Sequence, residues 1–188
     1  MQETSIYIPS EDSFLLSKVL EEKLLLLLKK NPKLKFLEIG VGSGVQLKTA
    51  KKLHVKNIFG VDINPKAVNE CKKLGFDVIK SDLLSNVKGK YDLIIFNPPY
   101  LPIYNKEPKS SRISTTGGKK GDEIILRFLK KLKNHLTKNG KAFLVLSSLT
   151  PKSKINLELK KQNFKKKIVS KENLFFENLF VLEIKISP

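Results

Sequence analysis

Asn97-Pro98-Pro99-Tyr100 carries the most specific chemistry in this sequence. It follows Tyr91 to Phe96, an almost wholly apolar run that reads as a strand buried on both faces. An amide nitrogen is a poor nucleophile, because its lone pair is delocalised into the carbonyl. To alkylate it, a site must hold both N–H bonds and drain the charge that develops. The Asn97 side-chain oxygen and the Pro98 backbone oxygen can act as two acceptors in a fixed fork. The adjacent prolines stiffen the turn and bring no N–H to compete as donors. Tyr100 can stack on a planar target group. The plain alternative, a turn that only ends a strand, is weakened by what lies beside it.

Glu38-Ile39-Gly40-Val41-Gly42-Ser43-Gly44 follows an earlier apolar strand and precedes a helix. Glycines at such a turn let a ligand approach the backbone. The spacing is not that of a dinucleotide fingerprint, and no Gly-Lys-Ser/Thr follows to make a phosphate loop. Glu38, before the glycines, would repel phosphate but suit an ammonium or sulfonium cation. Asp62, with Ile63 beside it, ends the next strand, where a carboxylate can accept both hydroxyls of a ribose. Asp82 follows the third strand and can accept the exocyclic amine of adenine, with Leu83 flanking the ring. One aspartate at a strand end is commonly a cap or a turn residue. Three acids after three successive strands, at the edge where open α/β sheets bind ligands, describe an adenosine with a positive charge and no phosphate.

The elements that must position these groups alternate strand and helix. Ser10 reads as a helix cap, with Glu11 and Asp12 at the positive dipole end. Leu15, Leu16, Val19 and Leu20 form the apolar stripe of that helix, which Asn31-Pro32 ends. Strands are expected at Leu34 to Ile39, Asn57 to Val61, Phe76 to Lys80, Tyr91 to Phe96, Ala142 to Ser147, Phe164 to Val169 and Leu179 to Ile186. Helices are expected from Val45 to Leu53, from Asn64 as cap to Leu74, from Asp122 to Leu136 with a stop at Asn139-Gly140, and from Ser153 to Lys161. The pattern predicts a single α/β domain over residues 1–188. Its seven-stranded sheet is mainly parallel, with helices on both faces and an antiparallel last strand. Leu101 to Gly121 breaks the rhythm, and its place directly after Asn97-Pro98-Pro99-Tyr100 predicts a substrate-facing lid.

Composition limits the alternatives. The net charge of +18 raises nucleic acid as a partner. Yet only Arg112 and Arg127 are arginine, and the lysines fall in small groups along the whole chain, as solvated faces do. The greasiest stretch, Leu24 to Leu28, is far too short to span a membrane, so no membrane association is expected. A lone cysteine, Cys71, and the lack of a secretory leader suit the cytoplasm. His54 and His135 are isolated, and no metal-spaced cluster occurs, so no metal is expected.

These residues resemble the class I methyltransferase (Rossmann-like) fold, and more narrowly the HemK-type glutamine methyltransferases. Tyr7-Ile8-Pro9-Ser10-Glu11-Asp12-Ser13-Phe14-Leu15-Leu16 is similar to the opening motif of their short eukaryotic and archaeal branch, with Ser13 where threonine is usual. Gly117-Gly118 followed by Gly121-Asp122 is similar to that branch's segment before its fourth helix. The resemblance implies S-adenosylmethionine as cofactor. It implies contacts from Ser13, Glu38, Gly40, Gly42, Asp62, Ile63, Asp82, Leu83 and Asn97, and catalysis at Asn97, Pro98, Pro99 and Tyr100. Residues 1–32 would be a cofactor-covering segment and helix, and residues 33–188 the catalytic core. The implied substrate is the glutamine of a Gly-Gly-Gln motif in a class-1 translation release factor. A small zinc-binding activator subunit is implied as partner. Of the two expected sheet edges, Phe164 to Val169 is guarded by Lys165-Lys166-Lys167, whereas Phe76 to Lys80 is short and mostly apolar, so it is the expected docking strand unless a loop of this chain covers it. Two rivals remain: a nucleic-acid enzyme acting on adenine N6 or guanine N2, supported by the basic charge, and a non-catalytic binding subunit, disfavoured because every expected catalytic residue is present.

Overall fold

A computed structural model describes residues 6–103 and 112–187. Its strands are β1 (Lys35–Ile39), β2 (Asn57–Asp62), β3 (Asp77–Lys80), β4 (Tyr91–Phe96), β5 (Leu136–Ser147), β6 (Phe164–Asn173) and β7 (Asn178–Ile186). They form one sheet in the order β3-β2-β1-β4-β5-β7-β6. β7 runs antiparallel to both of its neighbours, and the pairings from β3 to β5 are parallel. The helices are α1 (Glu11–Lys30), α2 (Val45–Lys52), α3 (Pro65–Lys73), α4 (Arg112–Thr115), α5 (Glu123–His135) and α6 (Lys152–Lys161).

Side-chain alternation along the strands divides the core into two layers. Phe36 of β1 packs in the layer with Leu16 and Leu20 of α1, Leu47 of α2 and Cys71 of α3. Its neighbour Leu37 points the other way, into the layer with Phe128 and Leu129 of α5 and Leu159 of α6. Burial of this kind contributes roughly 25 cal/mol per Å² of apolar surface. It holds the strands in register, so that their carboxyl ends lie along one edge.

Several boundaries differ from expectation for physical reasons. Ser10 precedes α1, but its side chain makes no capping bond and its hydroxyl turns to the Glu11 carboxylate instead. Asn64 does cap α3, accepting from the Lys66 N–H at 3.0 Å, with Pro65 in the first turn. α5 ends at His135, before Asn139-Gly140, and β5 starts at Leu136 rather than Ala142. The β4–β5 register jumps from Tyr91–Leu136 to Leu93–Lys141, so the intervening polar residues are looped out. β6 continues past Val169 to Asn173, through polar residues that an edge strand tolerates. Of the expected lid, 104–111 lie outside the described residues. The return of that segment is tied back, with Leu101 N–H bonded to Thr115 O and Gly117 N–H to Leu101 O. No helix among the described residues is long and apolar enough to cross a membrane.

Candidate active site

The carboxyl ends of β1, β2 and β4, with the start of α1 and the segment after β3, enclose a cavity of about 270 Å³. Ser13, Glu38, Gly40, Gly42, Asp62, Ile63, Asp82, Leu83, Asn97, Pro98 and Pro99 all line it. Residues 84 positions apart in sequence, from Ser13 to Asn97, thus meet at one place because the sheet order puts β4 beside β1.

Gly40, Gly42 and Gly44 all have positive φ, at 71°, 48° and 75°. L side chains adopt this region only at a cost, so the turn between β1 and α2 depends on glycine. The turn brings the Gly42 N–H to Asp62 Oδ2 at 2.9 Å, while Asp62 Oδ1 accepts from the Asn64 N–H at 2.8 Å. Burial pushes the Asp62 carboxyl up, and the N–H groups of Gly42, Asn64 and Ile63 pull it back. Glu38 is more deeply buried. Desolvation, and then the nearby Asp62 charge, raise its pKa well above the ordinary carboxylate range, against a Leu47 backbone hydrogen bond. Its Oε2 atom is buried and accepts no hydrogen bond. Asp82 is different: its side chain is half-exposed and forms an ion pair with Arg127 of α5. Leu83 follows at φ 52°, a left-handed conformation for a branched residue.

At the end of β4, Asn97 Oδ1 is also buried and without a hydrogen-bond donor. Leaving such an acceptor unpaired costs about 1–3 kcal/mol, so an N–H donor brought to it gains that much more. The turn is clamped from behind. A Cβ at Gly117 would lie 2.6 Å from the Pro99 carbonyl oxygen, so only glycine lets the returning chain pack there. The Thr150 hydroxyl donates to the Tyr100 carbonyl at 3.2 Å.

Tyr100 does not line this cavity. Its hydroxyl donates to Asp12 Oδ2 at 3.2 Å, and its ring borders an adjoining groove with Tyr7, Asp12, Pro98, Pro99, Leu174 and Glu177. Asp12, expected only as a dipole-facing acid, is a buried hub. It also accepts from the Tyr7 hydroxyl at 3.0 Å and from the Ser13 N–H at 2.6 Å. Burial and the Asp12 charge raise the pKa values of both tyrosines, so both stay protonated donors. Gln46 ties α2 to α1, donating to Ser13 O at 2.7 Å and accepting from the Ser17 hydroxyl at 3.0 Å. Sequence reasoning missed Asp12, Gln46 and Arg127 as site residues. Only Asp12 carried a local signal, within the opening motif.

The groups present fit an adenosine-bearing cation. Two buried carboxylates with little positive compensation face the cavity, and one of them has an unpaired oxygen. Among the described residues, no group of three or more His, Cys, Asp or Glu side chains could hold a metal ion.

The strand order is that of the class I methyltransferase fold, shared with a solved S-adenosylmethionine-dependent methyltransferase of Clostridium acetobutylicum, and the family model and relatives make the chain a methyltransferase that uses this donor. Within that class the chain belongs to the methyltransferase small domain family, whose model matches residues 18–176. A provisionally named protein N5-glutamine methyltransferase of Methanocaldococcus jannaschii is 40% identical over 185 residues, covering 94% of this chain and 90% of that relative. Methyltransferase HEMK2 of Mus musculus is 32% identical over 154 residues, covering 74% of this chain and 71% of the mouse protein. Among solved structures, a chain of the E. cuniculi Mtq2–Trm112 complex, described as responsible for methylation of the eRF1 translation termination factor, matches with TM-score 0.74. That match has 23% identity and covers 97% of this chain and 99% of the other.

Proposed function

We propose that this chain methylates the side-chain amide of a glutamine, in the Gly-Gly-Gln motif of a class-1 translation release factor. The observation that carries the reading is Asn97 Oδ1, buried, unpaired and beside the donor cavity. An acceptor atom in that state calls for an N–H donor. A primary amide has two N–H bonds, for Asn97 Oδ1 and the Pro98 carbonyl. The names of the relatives support glutamine over a nucleic-acid base. The reading implies a cytoplasmic site of action.

Bound S-adenosylmethionine supplies an electrophilic methyl group on a sulfonium. The chain's own residues do the rest. Asp62 accepts the ribose hydroxyls, Ile63 and Leu83 flank the adenine, and Asp82 accepts its exocyclic amine. Glu38 faces the cationic end, and Ser13 the methionine carboxylate. Gly40 and Gly42 let the backbone come close. Asn97 and Pro98 would hold the amide by its two N–H bonds, turning the nitrogen toward the donor and drawing off positive charge as the N–CH3 bond forms and the S–CH3 bond breaks; the thioether S-adenosylhomocysteine is the leaving group, and one amide proton passes to solvent. Pro99 stiffens the fork, and Tyr100 flanks the acceptor from the adjoining groove. Residues 6–32 close the donor cavity through Ser13, as part of a single domain.

The partner reading rests on the sheet edges. β6 is guarded by exposed Lys165, Lys166 and Lys167, whereas β3 is short, with Asp77 and Lys80 exposed and Ile79 half-buried. Val78 points into the core. A small zinc-binding activator subunit would add to β3 by main-chain pairing. The Asn86 side chain already donates to Lys80 O at 3.1 Å, so the free edge is the earlier part of the strand.

The test is transfer of labelled methyl from S-adenosylmethionine to purified release factor, and in parallel to RNA and DNA, with and without the candidate activator. Label on the glutamine of the factor is expected. Label on nucleic acid alone would favour an adenine or guanine amino group as acceptor, the reading that the charge of +18 supports. Ile79→Glu is expected to reduce co-purification of the activator while donor affinity holds.

A further inference from the structure

Phe175 and Phe176 are 93% and 86% exposed, the two most exposed of the large apolar side chains among the described residues. They sit at the tip of the β6–β7 hairpin. β6 runs parallel to the central strands and β7 returns antiparallel, so this tip lies at the carboxyl edge of the sheet, where the site is. The rings stack edge to face with centroids 4.7 Å apart, so each braces the other. The tip is anchored. The Leu174 N–H bonds to Glu177 O at 2.8 Å and closes the turn, and the Glu177 carboxylate accepts from the Ser147 hydroxyl at the end of β5. Leu149, also exposed, follows Ser148, whose backbone N–H bonds to Asn178 O.

We propose that the Phe175–Phe176 tip is a docking element for the folded acceptor protein, gripping it beyond the residue that is methylated. The proposal rests on the glutamine-methylation reading above. Its basis is continuity: Leu174 and Glu177 line the groove that also includes Tyr7, Asp12, Pro98 and Pro99, and those four line the donor cavity as well. A side chain that reaches Asn97 brings the protein carrying it over this groove and against the tip. Exposed apolar surface on an ordered turn marks a contact surface, and aromatic anchors carry a large share of binding energy at such surfaces. Bases also stack on phenyl rings, but a nucleic-acid strand is disfavoured here. Glu11, Asp12 and Glu177 line the groove and would repel its phosphates.

The experiment compares the enzyme, with its activator where turnover requires it, with the double variant F175S/F176S. The tip packs against no core, so the variant is expected to fold, and calorimetric affinity for S-adenosylhomocysteine checks this. On folded release factor, KM is expected to rise about tenfold or more while kcat stays within about twofold. A short peptide holding only the Gly-Gly-Gln motif is expected to react equally well with both enzymes. An unchanged KM on the folded factor overturns the proposal. So does a loss of activator binding, or a change of oligomeric state in light scattering, that leaves that KM unchanged; the tip then serves the activator or a second copy. If the unaltered enzyme labels only nucleic acid, the function reading fails and this inference falls with it. That result is separable from failure of the tip alone, in which the factor is labelled equally by both enzymes.

Discussion

The two halves of the carboxyl edge are built on opposite electrostatic plans. On the donor side, Glu38 and Asp62 are buried with raised pKa values, and their partners are backbone N–H groups rather than cations. On the acceptor side, Asp12 is equally buried but receives two phenol hydroxyls and a backbone N–H. In the first, each Asp62 oxygen accepts one N–H but Glu38 Oε2 is left without a donor, and a bound cation would compensate both carboxyl groups. The second is complete and serves as scaffold. At the cavity Glu38 Oε2 and Asn97 Oδ1 are buried and unpaired, whereas the Asp12 oxygens are filled by donors that hold the site in shape. Asn97, the proposed holder of the acceptor, resembles Glu38 in this respect, since its Oδ1 is buried and unpaired.

Asn97→Ala should have the largest effect. Loss of one preorganised group aimed at developing charge costs on the order of a hundredfold or more in turnover. Donor affinity, measured by calorimetry, is expected to change little. Single-turnover rates near those of the unaltered enzyme at saturating substrate would break the idea that an unpaired acceptor marks the reacting group. Asp62→Ala comes next and should act on binding. Charge-assisted hydrogen bonds are each worth roughly 1.5–3 kcal/mol, so donor affinity should fall by an order of magnitude or more. An unchanged affinity in a folded variant would remove the ribose from Asp62.

Glu38→Gln sharpens the same contrast through pH. The folded pKa of Glu38 lies well above its ordinary value of 4.5, chiefly through burial. The folded protein therefore keeps a proton that the unfolded chain has released. The associated stability is fully present below 4.5. It is lost as pH rises from there through the folded pKa, and then levels off. Glu38→Gln should flatten that loss in denaturant titrations. A cation bound beside Glu38 favours the carboxylate, so donor binding should release a proton, detectable as a dependence of calorimetric heat on buffer ionisation enthalpy. Equal heats in all buffers would place the cation elsewhere. Tyr100→Phe probes the satisfied half. It removes one donor from Asp12 and should lower stability by about 0.5–1.5 kcal/mol in denaturant unfolding, with donor affinity retained.

What the sequence showed of this site depended on distance along the chain. Glu38 and Asp62 could be read because the first is the penultimate residue of β1 and the second ends β2, and a strand end at a glycine-rich turn or before a capped helix is a local pattern. Asn97-Pro98-Pro99-Tyr100 could be read for its stiffness and its place after β4. The role of Asp12 could not, because its bond to Tyr100 joins residues 88 apart. The β5 boundary failed for a related reason. Asn139-Gly140 has the composition of a helix stop, but it lies in a loop-out between two stretches of one strand, and only the pairing with β4 shows this. The β6–β7 tip carried no turn signal strong enough to single out Phe175 and Phe176. Their meaning comes from which edge of the sheet they reach.

Arg127 gives the smallest expected effect and the finest test of the comparison. Its guanidinium pairs with Asp82, the one donor-side acid that is not deeply buried. The pair is about half-exposed on both sides, so solvent screening keeps its contribution to stability to roughly 1 kcal/mol or less. On the proposed reading its use would be positional: it holds one oxygen of Asp82, and the other would be left for the exocyclic amine of adenine. Arg127→Ala should therefore weaken S-adenosylhomocysteine binding by a few-fold at most and leave unfolding almost unchanged. Arg127→Lys keeps the charge without the planar fork and should recover part of that loss. The discriminating measurement uses the inosine analogue, in which an oxygen replaces the amine. If Arg127 acts through Asp82, the variant should lose preference for adenosine over inosine. Removing the cation that orients Asp82 would weaken the amine contact and leave the analogue's binding nearly the same. Equal loss for both ligands would make Arg127 a general wall of the cavity, and the third acid would then belong with the scaffold rather than with the donor site.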